Sequence, residues 1–133
     1  MKIDVPYGIT RRISGDMQSV RARVTEALKA QGFGILTEID VEKTLDAKLG
    51  VKIDPYVILG ACNPKLAHRA IGAEPGVGLL LPCNVVLTRD GDATIVSAAS
   101  PKAMFDIMKD PKPELRAVAE EAEKGLRAAI EAM

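Results

Sequence analysis

The segment around Asp90-Gly91 constrains this 133-residue chain more than any other. Val85-Val86-Leu87 precedes it and Thr94-Ile95-Val96 follows it. Two β-branched, apolar runs joined by residues that tolerate positive φ form a two-residue hairpin, here read as a type I′ turn at Asp90-Gly91 with the runs as antiparallel neighbours. A lone ribbon is barely stable in water, so the rest of the chain must supply more strands and a covering layer.

The strands are legible from their period. Between Ile3 and Ile13 the odd positions carry Ile3, Val5, Tyr7, Ile9 and Ile13, the alternation of a strand with one covered face. Pro6 and Gly8 predict a bend, with pairing from Ile9 onward. Arg11 falls on the apolar parity, and the expectation is a sheet-end position from which its guanidinium reaches outward. Phe33, Ile35, Thr37 and Ile39 alternate with Gly34, Leu36 and Glu38, which gives a second strand. Pro55 to Cys62 is apolar at both parities, as in a strand covered on both faces, or covered on one and buried in a subunit contact on the other. Leu79 to Thr88 is nearly all apolar but interrupted by Pro82. It is either one kinked strand or a short run leading into a strand that begins at Cys83.

The helices announce themselves by their caps. Met17, Val20, Val24, Ala27 and Leu28 recur at steps of three and four, after Ser14 and Asp16 as candidate N-caps and before Gly32. Asp40 predicts a short helix from Val41 that Gly50 ends. Asn63-Pro64 combines an N-cap with the residue best suited to the first helical position, so a helix to about Ile71 follows. Glu74 to Gly78, with Pro75, Gly76 and Gly78, reads as a loop. Ser100-Pro101 opens another helix, which ends before Pro111 and Pro113. Leu115, Val118, Ala119, Ala122, Leu126, Ala129, Ile130 and Met133 form the apolar stripe of a last one. The expectation is one α+β domain over residues 1–133. It would be a two-layer sandwich with a mixed, mostly antiparallel sheet of about five strands in the order β-α-β-α-β-α-β-β-α-α.

Composition narrows the function classes. Eighteen basic and 18 acidic residues give zero net charge, and aromatic residues make up 3% with no Trp. That argues against a nucleic-acid binder, which is usually a strongly basic domain with stacking platforms. No run approaches the ~20 apolar residues of a membrane span, and Met1 to Tyr7 lacks the apolar core of a signal peptide. The expected location is therefore cytoplasmic, where two cysteines are free thiols or chemically used ones.

The sequence holds no P-loop, dinucleotide fingerprint, nucleophile elbow, His-Glu-x-x-His or Cys-x-x-Cys. Two related tripeptides remain, Cys62-Asn63-Pro64 and Pro82-Cys83-Asn84, each joining Cys and Asn to a Pro at a strand boundary. If the third and fourth strands are antiparallel neighbours, both thiols lie at the same end of the sheet. Cys62 also precedes a helix N-terminus, which lowers a thiol pKa. His68, the single histidine, sits about a turn and a third into that helix and reads as a surface residue; the spacing does not suit zinc, so neither a metal nor a cofactor is expected.

Three readings stay open for these residues. One is a cleft lined by Cys62, Asn63, Pro64, Pro82, Cys83 and Asn84 that binds a small ligand or a protein partner. A second is a thiol-based redox enzyme or sensor using Cys62 and Cys83. The third is core packing, because free cysteine behaves as a small hydrophobe. The apolar surface of Tyr56 to Ala61 and of Leu79-Leu80-Leu81 exceeds what one helical layer covers, which predicts a symmetric homodimer.

With Gly60-Ala61-Cys62-Asn63-Pro64, Leu79-Leu80-Leu81-Pro82-Cys83-Asn84-Val85, Gly32-Phe33-Gly34-Ile35-Leu36 and Ile39-Asp40-Val41, the chain resembles the bacterial and archaeal family catalogued as domain of unknown function 302. The resemblance covers nearly the whole chain. It implies a small α+β domain, often a homodimer, and brings with it no established activity, substrate or cofactor.

Overall fold

The computed structural model describes residues 1–133. Five strands form one sheet in the spatial order β1-β5-β4-β3-β2. They are β1 (Gly8–Ser14), β2 (Gly34–Asp40), β3 (Tyr56–Cys62), β4 (Cys83–Asp90) and β5 (Ala93–Ala99). The helices are α1 (Met17–Ala30), α2 (Val41–Leu49), α3 (Pro64–Ala73), α4 (Pro101–Phe105) and α5 (Pro113–Glu131). This is the expected α+β fold with the expected element order. All four strand pairings are antiparallel, so no parallel contact enters the sheet.

The hairpin pairs Leu87 with Val96 and Asp90 with Ala93. Its two-residue turn is therefore Gly91-Asp92, one residue beyond the expected position. Gly91 has φ +62°, whereas Asp92 does not adopt positive φ. A positive φ at the first central residue alone belongs to a type II′ turn, not a type I′ turn. Glycine takes that conformation without steric cost, and this sets the register.

One face of the sheet carries α1 and the C-terminal half of α5. Val20, Val24 and Leu28 from α1, with Ala122, Leu126, Ala129 and Ile130 from α5, close over Leu59, Val85, Leu87, Val96 and Ala98. Arg11 shares this face with Ile9 and Ile13. It solves its misplacement by donating from Nη1 to the carbonyls of Ile130 and Glu131 at 3.0 and 2.9 Å. These carbonyls close α5 and have no partner within the helix. The opposite face is crossed by residues 1–7: the Thr88 hydroxyl donates to the Met1 carbonyl at 2.7 Å, and the Ser100 amide to the Tyr7 carbonyl at 2.8 Å. Ile95 and Ser97 are buried on that side.

β2 departs from simple alternation. Its register against β3 shifts between Ile35 and Thr37, so Ile35 lies opposite Ala61 but Ile39 opposite Ile58. A bulge adds one residue to one strand and turns every later side chain over. Glu38 therefore faces α1, where it accepts from Arg21 Nε at 2.9 Å, and Ile39 goes to the other face.

The segment expected to be a loop, Glu74 to Gly78, is largely a 3-10 turn over Pro75–Leu80. Pro75 supplies a preset φ, and the Glu74 side chain accepts from the Gly76 amide. The strand after it starts at Cys83, the second of the two arrangements considered, and the Leu81-Pro82 peptide is cis. No helix is long and apolar enough to cross a membrane.

Candidate functional site

The antiparallel pairing of β3 with β4 sets Ala61 opposite Cys83 and Gly60 opposite Asn84. Both Cys-Asn segments thus come to one end of the sheet. Gly60 allows a close approach there: a β-carbon at that position would stand 2.6 Å from a Thr37 methyl and 2.9 Å from the Pro82 ring. Pro82 rests directly on the β3 backbone for that reason. Asn63 caps α3 by accepting from the Leu66 amide at 3.3 Å, and Pro64 occupies the first turn.

Below this sheet end lies a partly open cavity of about 170 Å³. Cys62, Asn63, Pro82, Cys83 and Asn84 line it, together with side chains of α3, α4, α5 and the 79–81 segment. Pro64 does not; it points along the exposed start of α3. His68 is likewise exposed and off the cavity. The cavity sits on the seam between two apolar clusters. Phe33, Ala61 and Ala122 come from the main core, and Ala70, Phe105, Val118 and Ala119 from a second one.

The wall is overwhelmingly apolar, 16 of 20 residues, and contains no Lys, Arg, His, Asp or Glu. Sequence reasoning missed the helical half of it. The signal was present as Ala67 and Ala70 on α3 and Ala119 and Ala122 on α5, small residues three apart on facing helices. Where helices touch, such alanines permit close approach; here they leave space.

The thiols are both free. Cys83 lies opposite Ala61, one residue from Cys62, so the two are not a direct cross-strand pair although both line the cavity. Burial, assisted by nearby Cys62, pushes the Cys83 thiol up to about 11. At neutral pH it is protonated, and the thiolate is the nucleophilic form. No group of three His, Cys, Asp or Glu side chains comes together that could hold a metal ion.

A buried carboxylate that sequence reasoning also missed braces α4 against α5 beside the cavity. Glu123 of α5 is 6% exposed. It accepts from the Ser100 hydroxyl at 2.6 Å, the Lys102 amide at 3.3 Å and Arg127 Nε at 2.8 Å. These bonds tie the start of α4, and so Pro101 and Met104 beside the cavity, to α5. Its neighbours along the helix are Ala122 and Lys124, so nothing in the local pattern marks it as inward-facing except the helical period itself.

Residues 9–133 match the family described as Domain of unknown function DUF302. The chain belongs to this family. Its fold is similar to the crystal structure of an uncharacterized conserved DUF302 protein from Bacillus stearothermophilus, at TM-score 0.86 and 32% identity, over 96% of this chain and 98% of that one. No curated protein matches the sequence. In this DUF302 chain the cavity is walled by residues from Phe33 to Ala122, all within the matched range.

Proposed function

We propose that this DUF302 chain is a single, cytoplasmic α+β domain that binds a small ligand without catalysis, in the cavity at the Cys62/Cys83 end of the sheet. The observation that carries the reading is a partly open, apolar space at a seam where close packing would otherwise be expected. Catalysis by a thiol is disfavoured because Cys83 is held protonated and no acid or base lines the wall. The test is a titration of methyl-labelled protein with toluene followed by NMR. Saturable shifts at Leu66, Ala70, Ala119 and Ala122 are expected, and Ala119→Leu should remove them while leaving the circular dichroism unchanged. Shifts scattered over the surface, or none, would refute it.

The same reading takes the domain as a homodimer. β2 is a sheet edge whose Leu36 and Ile39 are 69% and 46% exposed, and Leu49 and Val51 beyond it are exposed too. An unpaired edge flanked by apolar side chains is a surface for isologous pairing. Light scattering should return about twice 14.2 kDa, and Ile39→Lys should return the single-chain mass. A wild-type mass near 14.2 kDa at tens of micromolar would exclude the dimer.

A further inference from the structure

The chemistry of the wall and the position of its opening restrict what the cavity can hold. An apolar cavity of ~150 Å³ accommodates a benzene ring, so about 170 Å³ takes one ring, or a chain of similar bulk, plus an atom or two. With no cation in the wall, a carboxylate or phosphate placed inside would give up its hydration without gaining an ionic partner, so a neutral group is favoured over a charged one.

The cavity is not polar everywhere alike. Asn84, Ala99 and Met104 line both it and a broad, open groove on the other face of the sheet, bordered by Met1 to Val5, Tyr7 and Tyr56. Asn84 and Ala99 stand just beyond the Val85–Ala98 pair, where β4 begins and β5 ends. The inner space and the outer groove therefore meet around the end of the sheet. Asn84 is exposed, so its amide is available at the opening to donate or accept. The helical side of the cavity offers only methyl and methylene groups from Leu66, Ala70, Val118 and Ala119.

From this we infer that the ligand is an uncharged, ring-sized apolar molecule carrying one hydrogen-bonding group. The ring lies against α3 and α5, and the polar group meets Asn84 at the opening toward the groove. The inference rests on the ligand-binding reading and adds to it the charge, size and orientation of the ligand.

Toluene, benzyl alcohol and benzoate, titrated against the full chain by the same methyl shifts, separate the two. Benzyl alcohol should bind more tightly than toluene by about fivefold, the worth of one hydrogen bond, and benzoate should bind more weakly than the alcohol. Asn84→Ala should bring the ratio of alcohol to toluene affinity down to about one. Because Asn84 is exposed, the variant should fold, which circular dichroism checks, and the toluene affinity of the same variant is the reference for that ratio. A substituent on the hydroxyl end, as in 2-phenoxyethanol, should be tolerated, whereas a butyl group at the opposite ring position should abolish binding. If benzoate binds as well as the alcohol, or if Asn84→Ala weakens toluene and alcohol equally, the inference is wrong and the binding reading stands. If none of the three ring compounds shifts the cavity methyls, the binding reading falls and the inference with it.

Discussion

The two apolar clusters of this domain are built from different materials. The main one, 16 buried residues, is a sheet covered by two long helices. Its backbone is held by the ladders of β1, β5, β4 and β3, and 12 of its 16 side chains are Leu, Val, Ile or Phe, the rest Ala. The second, six buried residues, is assembled from α3, the 3-10 turn, α4 and the first half of α5. Short elements joined by turns present fewer large side chains, and Ala70 and Ala119 stand at positions where Leu or Val would fill the space. A well-ordered sheet packs to crystal-like density, whereas a cluster of short helices closing over its end leaves a void. Most of the buried apolar side chains lie in the first region, and the candidate site lies at its junction with the second; binding regions are commonly drawn from the less stable parts of a fold.

Truncation tests that contrast most directly. Leu87→Ala, in the main core and fully buried, should cost about 3–4 kcal/mol in urea unfolding. Leu80→Ala, half-buried beside the cavity, should cost about 1 kcal/mol. Equal losses would mean that the second cluster is as tightly packed as the first.

Titration comes next in size. The Cys83 thiol ordinarily ionises near 9.0, and burial raises it to about 11 in the folded chain. The folded state therefore keeps a proton that the unfolded state releases. That contribution is whole below pH 9 and is lost as pH rises through 11, about 2–3 kcal/mol in all. Cys83→Ala lacks it, so the stability difference between wild type and variant should shift by that amount across the window. A difference independent of pH would show that Cys83 is in contact with water.

Overpacking discriminates the regions by sign. Ala98→Leu, fully buried in the main core, should destabilise by about 1–3 kcal/mol. Ala119→Leu, with the cavity beside it, should be near neutral or stabilising, because the added methyl groups enter empty space. A comparable loss at Ala119 would mean that the void cannot accept them. The smallest effect belongs to the corner between the regions: Asn63→Ala removes the cap of α3 and should cost about 1 kcal/mol, with amide exchange faster through Leu66 and Ala67 and unchanged in β4.

Most of the scaffold was decided locally. Asp16, Asp40, Asn63 and Ser100 each cap the helix that follows, and a cap acts over three residues, within reach of the sequence alone. The alternation of β1 and the two-sided burial of β3 at Leu59, Gly60 and Ala61 were legible for the same reason, since period two maps directly onto the faces of a sheet. The nearness of the two Cys-Asn segments also followed from chain order, because an antiparallel pair brings the end of one strand to the beginning of the next.

What lay beyond the sequence depends on partners distant along the chain. The β2 bulge that turns Ile39 over is settled by how β2 docks on β3. Arg11 is placed by carbonyls some 120 positions away, and Glu123 by a hydroxyl 23 positions before it. The cavity is the extreme case. An alanine read in isolation has the same helical propensity whether its methyl touches a neighbour or faces a void, and only the packing of α3 against α5 below the sheet end determines which. Sequence therefore specified which residues stand at this corner of the DUF302 domain, and tertiary structure decided that they surround a space.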